Sequence, residues 1–317
     1  MASSSRPAPT GSSGHVLALF GPTASGKTAV AGLLRGLVAA EVVSADSAAL
    51  YAGLPILTAV PSYPARLVGT VPLREEVSVG SYQRLAHEAI DGIAAAGRLP
   101  LVAGGTGLYL RAAVGELELP PPAASERRAF WEAEYERLGP AGAHELLAER
   151  DPAAAARVHA NDRKRVVRAL ELAESGASLA PREDRLWSEH MRLPTVVVGL
   201  DVPLDELDRR IEARTRAMVA GGVVEEARAA WAEPRSRTAS QVLGLEEFAT
   251  LPTPSAVERV VQATKRLARY QRKWLRRLPI ATTLDGSLPV EELADQIVAL
   301  ERSGEHLPRH RGDAASP

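Results

Sequence analysis

The stretch Gly21-Pro22-Thr23-Ala24-Ser25-Gly26-Lys27-Thr28 fits G-x-x-x-x-G-K-[ST] at every fixed position. It follows the unbroken apolar run Val16-Leu17-Ala18-Leu19-Phe20 and runs into a segment of helical composition, Gly26 to Val38. Strand, glycine loop and helix in that order are the context this pattern requires. The glycines let the backbone curl until successive N–H groups converge on phosphate oxygens, and the new helix adds its positive N-terminal end. Lys27 brings a point charge to the terminal phosphate, and the Thr28 hydroxyl is placed to reach Mg²⁺. Gly21, Thr23, Ala24, Ser25, Gly26, Lys27 and Thr28 are therefore expected to hold a di- or triphosphate, as in nucleotide-binding and ATP-binding enzymes.

A strand that is apolar on both faces belongs in a parallel sheet covered by helices. The rest of the chain reads the same way. Glu41–Ser44 and Leu99–Ala103 are expected strands, the second preceded by the helix-like Ser81–Ala96. Such alternation predicts an α/β fold. At Pro120-Pro121-Pro122 the character changes, and an Ala/Glu/Arg/Leu-rich stretch without a convincing strand runs to about Arg185. Thr195–Leu200 restores a strand, with helices expected over 204–219, 223–232 and 255–277 and a last strand and helix within 279–301. The expected architecture is a P-loop NTPase-like parallel sheet flanked by helices, built from 15–119 and 190–303, with an inserted all-helical subdomain at 120–189. Residues 1–14 and 304–317 are expected to be flexible tails.

Composition adds exclusions. Lys and Arg number 38 against 39 Asp and Glu, a formal net charge of −1, so any basic surface must be local. The absence of cysteine removes disulfides, thiolate zinc sites and cysteine nucleophiles together. No run approaches the roughly 18 apolar residues of a membrane span, and Val16–Phe20 is too short for a signal peptide's apolar core. No membrane partner is expected, and the cytoplasm is the default location.

A phosphate loop does not name a reaction. Three further stretches do more. Val43-Ser44-Ala45-Asp46-Ser47 ends the second strand and is followed by Leu50-Tyr51-Ala52-Gly53; Gly104-Gly105-Thr106-Gly107-Leu108-Tyr109-Leu110 ends the third; Asn161-Asp162-Arg163-Lys164-Arg165 lies in the helical stretch. With Arg210-Ile211-Glu212-Ala213-Arg214 and the Gln271-x-x-Trp274-Leu275-Arg276 helix, these resemble the tRNA dimethylallyltransferase (tRNA isopentenyltransferase) family over about residues 16–285.

The resemblance implies transfer of a dimethylallyl group from dimethylallyl diphosphate to N6 of an adenosine beside the tRNA anticodon (position 37). The phosphate loop then holds the donor, with Mg²⁺ at Thr28. Asp46, at a strand's carboxyl end where open α/β sheets place ligands, can hydrogen-bond the adenine amine and take its proton; a magnesium contact is its alternative. Thr106 could touch the leaving oxygen or the same amine, or merely cap its strand. Arg214 matches the family's diphosphate-binding arginine. For tRNA the match points to Asp46 with Ser47, Ala48 and Ala49, to Arg127 and Arg128, to Lys164, Arg165, Val166, Val167 and Arg168, and to Gln241 and Gly244. The chain is expected to act as a monomer on the anticodon stem-loop. Two alternatives are prenylation of a free adenine nucleotide and a non-catalytic RNA-binding relative.

The sequence departs from the family at Leu57-Thr58-Ala59-Val60-Pro61, where Gly-Thr-Ala-Lys-Pro is usual. Ala65 and Gly69 replace a His and an Asp, and Leu245 replaces a Tyr. Two basic runs break the charge neutrality. Arg157, Arg163, Lys164, Arg165 and Arg168 face one acid, Asp162; Arg259, Lys265, Arg266, Arg269, Arg272, Lys273, Arg276 and Arg277 face none within their own run. The second run is expected to be a helix with Val257, Val260, Val261, Thr264, Leu267, Ala268, Gln271, Trp274, Leu275 and Leu278 on a core face. Its unbalanced cations would then meet phosphates.

Overall fold

The computed structural model describes residues 14–120, 125–180 and 185–303; the two tails expected at 1–14 and 304–317 fall outside these residues, apart from Gly14. Contacts divide the chain into two units, Met1–Glu116 with Leu186–Pro317, and Leu117–Arg185.

The first unit is built on a parallel sheet of strands β1 (Val16–Phe20), β2 (Ala40–Ser44), β3 (Ala65–Arg66), β4 (Leu99–Gly104), β5 (Thr195–Asp201) and β6 (Thr282–Asp285), in the order β3-β2-β4-β1-β5-β6. Its helices are α1 (Lys27–Leu37), α2 (Val79–Ala95), α3 (Gly107–Val114), α7 (Leu204–Ala220), α8 (Val223–Ala232), α9 (Leu245–Thr250), α10 (Thr253–Leu275) and α11 (Val290–Ser303). Side chains alternate across each strand, so one face of the sheet presents Leu17, Leu19, Val42, Leu101, Val196 and Val198. These pack with Val30 and Leu34 of α1 and with Leu293 and Ile297 of α11 in one core cluster. The unit matches the expected P-loop NTPase-like α/β fold. The two-residue edge strand β3 and the short helix α9 were not anticipated, being too brief to carry a periodic pattern.

All the strands are parallel, so their carboxyl ends share one edge. Because β2, β4 and β1 are neighbours, the three motif loops that follow them are neighbours too. This follows from strand order, which lies beyond the reach of motif spacing. The loops also touch closely: a Cβ on Gly104 would sit 2.2 Å from the carbonyl oxygen of Ala45, so only glycine fits.

The second unit is helical, from α4 (Ser125–Arg150, interrupted at Gly139, φ 71°), α5 (Pro152–Ala155) and α6 (Arg163–Glu174). Trp131, Tyr135, Leu147, Val166, Val167 and Leu170 form its core. Asp151 caps α5 by accepting from the Ala154 N–H, and Asp162 caps α6 by accepting from the Arg165 N–H. The Asp of the Asn-Asp-Arg motif is thus a helix start.

Candidate active site

The site grows from the phosphate loop. Gly21 is held so tightly that a Cβ would lie 2.7 Å from the Leu200 carbonyl oxygen, and Gly26 adopts φ 91° at the start of α1. Ala24 also sits in the left-handed region at φ 64°, a conformation L side chains rarely adopt. Arg210 steadies it, donating from Nη1 to the Ala24 carbonyl at 3.3 Å while pairing with Glu206 one turn away. Gln271, on α10, accepts from the Thr23 N–H at 2.7 Å, and Arg214 donates to the Thr23 hydroxyl at 3.1 Å.

Helix α7 delivers its arginines because of its periodicity. Leu207 and Ile211 pack with Val261 and Ala268 of α10, which leaves Arg210, Arg214 and Met218, four residues apart, on a stripe facing the cavity. Arg210 and Arg216 make the i,i+4 pairs ordinary for such a helix, with Glu206 and Glu212. Arg214 does not; it turns to the loop instead.

A cavity of about 600 Å³ opens over this loop. Thr23, Lys27, Thr28, Asp46, Gly105, Arg210, Arg214 and Gln271 form its polar side. Ile56, Thr58, Ala59, Pro61, Tyr63, Ala65, Val68 and Met218 also line it and bring no charged group. Sequence reading marks residues 57–61 and Ala65 only as departures from the family pattern; that residues of this loop line the cavity is decided by the fold. Glu226 of α8 fixes that loop by accepting from the N–H groups of Ile56 and Leu57, both at 2.8 Å. Of the departures from the family pattern, Ala65 lines the cavity, while Leu57 packs where a Cβ on Gly244 would meet it at 2.9 Å.

Electrostatics couple the polar groups. Burial draws the Lys27 ammonium down to about 7; the Asp46 carboxylate opposes this and the Arg214 guanidinium adds to it. Arg214 is likewise lowered by burial, with Asp46 opposing. Lys27 donates to the Pro22 carbonyl at 2.6 Å. A bound diphosphate would bring a counter-charge and raise the lysine's pKa. Binding above pH 7 then requires proton uptake. Affinity for a non-reacting diphosphate analogue should therefore fall as pH rises from 7 to 9, by at most about tenfold per unit. Calorimetric titration should show this slope in the wild type and lose it in Lys27→Ala; a flat wild-type profile would mean Lys27 keeps its proton throughout.

Other expected site residues fall differently. Thr106 is not part of the cavity lining; its hydroxyl accepts from the Ser47 N–H at 3.4 Å and lies 3.5 Å from the Ser47 hydroxyl. Asp46 holds its own turn by accepting from the Ala48 N–H at 2.9 Å, and Ala49 lines the cavity. Gln241 is exposed. Gly244 is buried and starts α9 at φ 92°, so its glycine serves the backbone. Val166 and Val167 are wholly buried in the second unit's core, so their side chains reach no solvent. Arg127, Arg128, Arg165 and Arg168 have acidic partners in Glu174, Glu132, Asp162 and Glu171.

The second basic run needs correction. Its balancing carboxylates come from elements distant in sequence. Lys265 pairs with Glu212 and Asp208, Arg269 with Asp208, and Arg272 holds Asp201 through two hydrogen bonds of 2.6 and 2.7 Å. These pairs tie α10 to α7 and β5. Leu267, expected on the core face, is 36% exposed.

Fold and site together define a phosphate-loop enzyme whose cavity combines an anion cradle and a carboxylate with uncharged, mostly apolar residues. A family model described as IPP transferase matches residues 49–278. A tRNA dimethylallyltransferase of Kineococcus radiotolerans is 40% identical over 90% of this chain and 96% of its own length. One from Anaeromyxobacter dehalogenans is 43% identical, covering 83% and 92%. Among solved structures, the full-length tRNA isopentenylpyrophosphate transferase of Bacillus halodurans superposes with a TM-score of 0.64 at 29% identity, covering 92% of this chain and 99% of that one. A eukaryotic dimethylallyltransferase acting on tRNA shares the fold, with a TM-score of 0.73 at 21% identity and coverage of 94% and 82%. The chain belongs to the IPP transferase family, and it is a transferase.

Proposed function

We propose that the protein transfers the dimethylallyl group of dimethylallyl diphosphate to N6 of the adenosine next to the tRNA anticodon, position 37, acting as a monomer in the cytoplasm. The observation that carries this is one cavity whose lining holds Lys27, Arg214 and a carboxylate, Asp46, together with uncharged, mostly apolar residues fit for a prenyl chain. The N6 lone pair forms the new bond to the donor's C1 while the C1–O bond breaks. The bonding electrons leave with the diphosphate, and the amine proton passes to Asp46. Lys27 and Arg214 meet the charge that builds on the leaving group.

Among the described residues no group of three or more His, Cys, Asp and Glu could cage a metal, whereas Thr28 lines the cavity beside the loop. That donor set suits Mg²⁺, which binds through few protein ligands and the substrate's phosphates. When bound, the ion would neutralise part of the diphosphate's charge. Among the described residues no helix is long and apolar enough to cross a membrane.

An adenine in a stacked loop is shielded, so it must be turned out of the stack to react. Groups gripping the neighbouring backbone are needed, and we assign this to Lys164 and Arg165, both exposed on α6, with Arg127 and Arg128 on α4. Arg168 makes a poor probe, because its partner Glu171 is nearly buried and would lose its counter-charge. The double variant Lys164→Ala/Arg165→Ala should weaken stem-loop binding and flatten the plot of log affinity against log salt by roughly 0.7–0.9 per lost phosphate contact. Donor affinity should not change. The function itself is tested by mass spectrometry of adenosine in an anticodon stem-loop after incubation with donor and Mg²⁺. Product at free adenine nucleotide in place of the stem-loop would overturn the tRNA reading.

A further inference from the structure

Ion pairing on α10 leaves its carboxyl end as a distinct patch. Lys273, Arg276 and Arg277 are exposed there, with Arg266 exposed further back on the helix, while Lys265, Arg269 and Arg272 are taken up by carboxylates. Against this patch lies an aromatic stack. The Trp274 ring packs on Gly107, where a Cβ would come within 2.3 Å of it, and so abuts the start of α3. Trp187 lies on Trp274 with ring centroids 4.7 Å apart and a 41° tilt. The Arg277 guanidinium sits 3.7 Å over the Trp187 ring. Trp187 is thus the shared member of a Trp–Trp–Arg stack, and Arg277 is its exposed member.

The stack connects to the catalytic cavity through Trp274. Gln271, which lines the cavity, is one helical turn before Trp274, and Gly105, also in the lining, is two residues before Gly107. A buried aromatic pair would explain packing alone. A guanidinium centred 3.7 Å over an indole and exposed to solvent, among further cations and near the proposed base pocket, fits a single-stranded nucleic acid better. Bases stack on arginine planes and aromatic rings whatever their identity, and nearby cations track the backbone.

We infer that Trp187 and Arg277 form a stacking platform for the nucleobase adjacent to the target adenosine. This inference rests on the proposed action on tRNA. When the target base leaves its stack, its neighbour loses a partner, and the platform replaces that partner near the cavity.

The test is binding, which needs no catalysis. Anticodon stem-loops are prepared intact or with an abasic nucleotide immediately 5′ or 3′ of the target adenosine. Affinity for each is measured by fluorescence anisotropy without donor, for wild type, Arg277→Ala and Arg277→Lys. One abasic position should weaken wild-type binding by about 5- to 150-fold, the range for losing one base stack. Both variants should bind the intact loop correspondingly less well and show little further loss with that abasic loop. Lysine keeps the charge but not the plane, so it should preserve the salt dependence without restoring the stack. An abasic penalty as large in the variants as in wild type overturns the platform, as does wild-type binding indifferent to both abasic loops. A Trp187→Ala variant that loses thermal stability but binds all the RNAs as wild type would also overturn it, reducing the stack to packing. Wild-type prenylation of the intact loop is measured alongside. Its absence counts against the proposed function, whereas the abasic coupling speaks to the platform alone.

Discussion

Asp46→Ala is expected to reduce single-turnover prenyl transfer by about 10²–10⁴-fold while leaving affinity for the diphosphate donor at or above the wild-type value. A general base acts as the carbon–nitrogen bond forms, so its loss falls on the rate. Removing the carboxylate takes a negative charge away from an anionic ligand, but it also removes the charge that opposes the lowering of Lys27's pKa, so donor affinity is compared at a pH low enough to keep Lys27 protonated in both proteins. The side chain also accepts from the Ala48 N–H. Asp46→Asn keeps an acceptor there without a base, and should be as slow as the alanine variant. Donor affinity that collapses in parallel with the rate would make Asp46 a magnesium ligand.

Lys27→Ala should act on both binding and rate. The ammonium meets the diphosphate in the ground state and meets more charge as the C–O bond breaks, so KM for the donor should rise and kcat should fall. Charge-stabilising groups of this kind are commonly worth about 10²–10³ in kcat. RNA affinity measured without donor should hold at the wild-type value, because Lys27 lies in the loop and contacts Pro22 and Ser25. Equal loss of RNA affinity would mean the loop serves the nucleic acid. Arg214→Ala should resemble Lys27→Ala in direction, with an added loosening of the loop through the lost bond to Thr23.

The phosphate loop, the strands beside it and the helical character of the middle of the chain were legible in the sequence, for a local reason. Backbone curvature at Gly21 and Gly26, the charge of Lys27 and the alternation of apolar runs are properties of contiguous residues, and physics reads them where they stand. Asp46 and Arg214 were legible through motif resemblance, each lying in a segment with a recognisable pattern. Contact between distant segments was not. Charge counting along 259–277 found cations without acids, because Asp201, Asp208 and Glu212 sit on β5 and α7. Val166 and Val167 lie between basic residues in sequence, yet the turn of α6 carries them into its core.

Sequence by itself therefore determined the chemistry this protein can hold: an anion cradle, a carboxylate at a strand end, and a helical unit with basic residues on α6. Only the tertiary structure decided which of these meet. Strand order sets the loops of β1, β4 and β2 side by side, the packing of α7 on α10 turns Arg214 and Gln271 toward Thr23, and the loop held by Glu226 brings apolar residues into the cavity lining. The physical reason is that a side chain's charge and shape are fixed by its identity, whereas its partner is fixed by which other segment buries its apolar face beside it.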